Sequence, residues 1–147
     1  MARVDLKSAS LAGTPLGGII ALTVTATREE RASAVAVARE SGLSIAIPFA
    51  RFNDGRGFSI ARLLRSEHDF SGEILATGHT IPDQALHLLR CGFDAVELSD
   101  SARLPQWKKS LKSCWRAYQT AARNPLTLRR EAALKKNQNS RELEKAA

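Results

Sequence analysis

Between residues 51 and 59 the chain reads Arg-Phe-Asn-Asp-Gly-Arg-Gly-Phe-Ser. Arg51 and Arg56 offer forked, permanently charged donors, and Ser59 adds a hydroxyl. Gly55 and Gly57 let backbone N–H groups come close to a ligand. Placed at the entry to a helix, where the first N–H groups lack partners, this set recognises phosphate, sulfate or carboxylate. The same residues also have a purely structural reading. Asp54 can cap the helix, the two glycines can make turns, and Arg56 can pair outward. Both readings stand at this point, because Asp-Gly-Arg is a short motif.

A second cluster, Gly78-His-Thr-Ile-Pro-Asp-Gln84, brings His79 and Asp83 within one turn of each other. An imidazole beside a carboxylate is a general acid or base. Asp83 is also favoured in a first helical turn by the helix dipole alone. His87 and Cys91 are spaced like two ligands on one helix face, but a third ligand is missing, so no metal is assigned. The chain has no Gly-x-Gly-x-x-Gly, Walker-type or Gly-x-Ser-x-Gly motif, and its 2 cysteines are too few for an iron–sulfur centre. No cofactor is evident from the sequence.

Both clusters need elements to hold them. Gly-Gly followed by a β-branched run predicts a strand over 18–25. Thr27 and Glu30 form a capping box that opens a helix, and Gly42 closes it. Strands over 43–49, 73–77 and 94–98 follow, separated by helices over about 58–67 and 82–90. Pro48 belongs at the end of its strand, and Gly92 ends the third helix. Strands separated by single helices pair in parallel with right-handed crossovers. The expected fold is therefore α/β, a single domain with a mainly parallel four-stranded sheet (β-α-β-α-β-α-β-α), open or half-barrel-like. In such folds ligands collect beyond the carboxyl ends of the strands, where the 51–59 and 78–84 segments fall. A last helix over 102–121 carries Leu104, Trp107, Leu111, Trp115 and Tyr118 as one core-facing stripe.

The chain has 147 residues and 44% hydrophobic content, which suits one packed domain. The reading divides it into an N-terminal segment 1–15, an α/β domain 16–121 and a basic tail 122–147. The net charge of +7 is uneven: residues 1–100 hold 10 Lys/Arg against 12 Asp/Glu, and residues 101–147 hold 12 against 3. A basic tail raises nucleic-acid binding as a second alternative, without a recognition motif to support it. Residues 8–27 carry no charge, yet Ser, Thr, Gly and Pro dilute them below the apolar density of a membrane span. A cytoplasmic location without membrane attachment is expected, and a homodimer is a candidate, since four strands make a narrow sheet.

The runs FNDGRGFSIARLLR (52–65), GEILATGHTIPDQ (72–84) and LLRCGFDAVEL (88–98) together resemble the bacterial family known as domain of unknown function 934. Members are commonly encoded beside sulfite reductase and phosphoadenylylsulfate reductase and are labelled oxidoreductases. The resemblance thus implies a role in sulfate assimilation and sulfite reduction, with either reductase as partner. Relatives commonly show Gly-Asp where this chain has Gly78-His79. Without a cofactor motif, an accessory protein binding an anionic ligand or the reductase through Arg51, Asp54, Gly55, Arg56, Gly57 and Ser59 fits better than a redox enzyme. Whether the chain is an enzyme stays open. The alternative is a small enzyme using His79 and Asp83 beside that anion site.

Overall fold

The computed structural model describes residues 2–13 and 17–113. Its first helix shows how directly local chemistry sets an element. Helix α1 (Arg28–Ser41) opens on the capping box: Glu30 N–H donates to Thr27 Oγ1 at 3.2 Å, and Thr27 N–H donates to Glu30 Oε2 at 2.7 Å. Gly42, at φ 69°, ends it in the left-handed region that glycine enters without strain. Helices α2 (Arg56–Ser66), α3 (Ala85–Cys91) and α4 (described over Leu104–Ser113) follow. A 3-10 turn at Pro82–Gln84 precedes α3, and another at Ser101–Arg103 precedes α4.

The sheet has six strands among the described residues, and this corrects the expectation of four. In chain order they are β1 (Ala2–Asp5), β2 (Ser10–Ala12), β3 (Ile19–Ala21), β4 (Ser44–Phe49), β5 (Ile74–Gly78) and β6 (Ala95–Leu98), arranged β2-β1-β6-β5-β4-β3. The β3 to β6 pairings are parallel, as expected. The added strands β1 and β2 are antiparallel to their neighbours. Their signal is short: Val4 and Leu6 alternate with Arg3 and Asp5, and both apolar side chains are fully buried. Pro48 is tolerated in β4 because its nitrogen faces the β3 side, above the last ladder bond, Leu22 N–H to Ala46 O at 2.8 Å.

Among the described residues all four helices pack on one face. Ala34, Val35 and Ala38 of α1, Ile60 and Leu64 of α2, Leu88 and Leu89 of α3, and Trp107 and Leu111 of α4 share a core with Ile45, Ile47, Ile74, Val96 and Val4. Trp107 and Leu111 thus dock as the stripe predicts, with Leu104 half-buried; Trp115 and Tyr118 lie outside the described residues.

Ser10, Asp5, Ala95, Leu75, Ala46 and Ala21 form one row across the opposite face. Ala12 and Ile19 stand at opposite edges, seven residues apart. In a flat sheet about 24 Å across the strands and about 13 Å along them would separate these two residues. Seven residues reach at most about 25 Å, so the sheet is not flat, in keeping with the ordinary twist between neighbouring strands. Ala46, Leu75 and Ala95 form a second buried cluster at the middle of the row, on the face opposite the helices. Among the described residues no helix is long and apolar enough to cross a membrane.

Candidate functional site

The carboxyl ends of β4 and β5 are locked together around Phe49. Its carbonyl accepts from His79 N–H at 2.8 Å, and its buried ring lies 5.1 Å from Phe58 and 5.8 Å from Phe93, centroid to centroid. A Cβ on Gly57 would stand 2.7 Å from that ring, and one on Gly78 would stand 2.5 Å from the Phe49 oxygen. Gly78 also has φ 83°. Both glycines therefore serve close approach. Gly55 differs: its φ is −72° and nothing lies within 4 Å of an added Cβ.

From this base the loop rises and turns back into α2, which starts at Arg56, two residues earlier than the spacing predicts. Arg56 directs its fork to the carboxylate of Asp54, Nε to Oδ1 at 2.9 Å and Nη2 to Oδ2 at 2.8 Å, while its N–H donates to Oδ1 at 3.2 Å. The guanidinium and then the backbone N–H hold the Asp54 carboxyl down at about 2, and Asp54 raises Arg56 in return. Arg56 is 62% exposed, so the pair neutralises itself at the surface. Arg51 and Ser59 are exposed. Arg51 has no ion-pair partner among the described residues, so its charge is the one the loop leaves uncompensated.

The structure joins the two clusters through a contact that the sequence reading lacks. Gln84 Nε2 donates to the carbonyl of Phe52 at 2.5 Å, and Gln84 Oε1 accepts from Ile81 N–H at 3.3 Å. Gln84 thereby fixes the loop apex, where Phe52 is 54% exposed. A large aromatic held outward on a tethered apex is the feature sequence reasoning missed. Its one available sign was Phe52 sitting between Arg51 and Asn53, where no helical or strand period claims it for the core.

His79 and Asp83 are both exposed, and among the described residues no hydrogen bond or ion pair links them. His87 lies against Phe58, with ring centroids 4.4 Å apart, and its Nε2 is 3.8 Å from Cys91 Sγ. Burial, with help from Arg90, lowers the His87 pKa, and burial raises that of the Cys91 thiol. Among the described residues no group of three His, Cys, Asp or Glu side chains could hold a metal.

The three motif runs occupy the β4–α2, β5–α3 and α3–β6 passages, and a family model described as "Bacterial protein of unknown function (DUF934)" matches residues 23–129. The chain belongs to this family. The match spans most of the DUF934 chain, beginning within the β3–α1 connection and running past residue 122. No curated protein and no solved structure matches it.

Proposed function

We propose that this DUF934 protein is an accessory of assimilatory sulfate and sulfite reduction that docks onto the reductase through its 51–59 loop. The pathway is what the family resemblance implies. The mode of action rests on one observation, the exposed Phe52 ring beside the uncompensated Arg51 on an apex tied down by Gln84. Aromatic and arginine side chains are the usual anchors of protein interfaces, and a tethered apex loses little freedom on binding. A free oxyanion is the weaker ligand for this loop, because it must compete with Asp54 for the Arg56 fork.

Titration of the protein against purified sulfite reductase and phosphoadenylylsulfate reductase tests the reading. One of the two should bind, and Phe52→Ala or Arg51→Ala should each weaken binding about tenfold or more, equivalent to roughly 1.4 kcal/mol. Unchanged affinity in both variants would remove the loop from the interface. A melting-temperature rise with sulfate or sulfite that Arg56→Ala abolishes would instead favour the small-anion form of the same site.

A further inference from the structure

We propose that the β3 edge is a pairing surface for a second copy of this chain, joined antiparallel about a twofold axis. Strand register gives the first argument. Gly18 O accepts from Ser44 N–H, and Leu22 N–H donates to Ala46 O, so the even-numbered residues of β3 bond inward to β4. Ile19 and Ala21 consequently direct their N–H and C=O groups out of the sheet edge. In an antiparallel pair centred on Ile20, Ile19 of each copy faces Ala21 of the other. Those residues are the ones with outward groups, and four hydrogen bonds form. Side-chain parity agrees: Ile19 and Ala21 lie on the face opposite the helices, and Ile20 meets Ile20 on the helical face.

Charge and shape give the second. Exposed edges are normally blunted by charge, proline or a bulge, yet Ile19–Ala21 sits within the uncharged run 8–27. A strip without charge can face itself across a twofold with no like-charge contact. At the other edge, β2 lies beside Asp5 and the Lys7–Asp94 ion pair. Beside β3 runs an open groove of about 370 Å³ toward α1, lined by Ile20, Leu22, Ala34 and Val37 and also by Ser33 and by Glu30, whose carboxylate is engaged by the Thr27 N–H. Val37 is 47% exposed there, and Ile19, on the other face of the strand, is exposed to the same extent. The pair of strands is short, so the partner's Ile20 and Val37 must fill this groove for the dimer to hold.

Sedimentation or light scattering of the full chain from 1 to about 200 µM tests the proposal. The mass should rise from one chain and saturate at two. Ala21→Lys should raise the dimer dissociation constant about tenfold or more at an unchanged melting temperature of the monomer. The double variant Ile19→Glu/Ala21→Lys should restore dimerisation, because the register sets the new carboxylate of each copy against the new ammonium of the other. Amide exchange at Ile19 and Ala21 in the unaltered protein should slow as concentration rises, a readout that needs no variant. A mass fixed at one chain, a mass climbing past two, or exchange independent of concentration would overturn the proposal.

Discussion

Helix α2 has an arginine near each end, and the two live in opposite surroundings. Arg65, 7% exposed, spends its whole fork on the fold: Nε and Nη2 donate to Gly92 O at 3.0 and 2.7 Å, Nη1 to Phe70 O and Gly72 O, and Nη2 also to Asp94 Oδ2 at 2.6 Å. Arg56, nine residues earlier, is 62% exposed and holds a carboxylate two residues away. One fastens the α2–β5 connection to the α3–β6 turn; the other shapes a loop whose Arg51, Phe52 and Asn53 are exposed. Residue type alone does not separate a structural cation from a surface one. What separates them is the number of desolvated acceptors that would lose a partner.

That contrast predicts the largest effect. Arg65→Ala leaves Asp94 and the carbonyls of Phe70, Gly72 and Gly92 short of a donor in the interior, and should cost about 3–5 kcal/mol. Arg65→Lys should recover little, because an ammonium cannot span acceptors set for a planar fork. Chemical denaturation checks both. A midpoint within error of the unaltered protein would mean that the buried fork contributes no more than a surface pair.

Three glycines of the candidate site sharpen the same distinction at smaller scale. Gly78→Ala combines φ 83° with a Cβ 2.5 Å from the Phe49 oxygen, and should cost about 2–3 kcal/mol. Gly57→Ala drives a methyl into the buried Phe49 ring, 2.7 Å away, at about 1–3 kcal/mol. Gly55→Ala meets open space at a helical φ and should be neutral or stabilising by about 0.5 kcal/mol. Melting curves of the three variants must fall in that order for Phe49 to be the packing centre of the loop.

Much of this frame is legible in the chain itself. The capping box, the two closing glycines and the later apolar strands are local signals, and each marks its element within a residue or two; the strand expected over 18–25 is shorter, Ile19–Ala21, because the chain turns at residues 24–25 to enter the α1 cap. Strands β1 and β2 are not legible in that way, since four- and three-residue strands gain their stability from a neighbour distant in sequence. The candidate loop is legible by composition alone. That Gly57 answers to Phe49, and that Gln84 ties down Phe52, are tertiary facts with no sequence period to reveal them. Arg65 is hidden for the same reason: its acceptors, Gly92 and Asp94, are 27 and 29 residues away.

The smallest effect belongs to the exposed end of α2. Asp54 titrates at about 2 because the Arg56 fork and N–H favour its charged form. With the folded value depressed, the pair's contribution is complete above the ordinary carboxylate range near pH 4 and is lost as pH falls through about 2. Arg56→Ala removes the fork and should move the Asp54 midpoint, followed by carboxyl carbon NMR, back up toward ordinary values. Solvent screens so exposed a pair, so the melting midpoint at neutral pH should stay within error of the unaltered protein. Arg56→Lys should leave Asp54 between the two, keeping the charge without the fork. A melting temperature that drops with Arg56→Ala as it does with Arg65→Ala would erase the difference between the two ends of α2, making the loop a structural element in place of a docking apex.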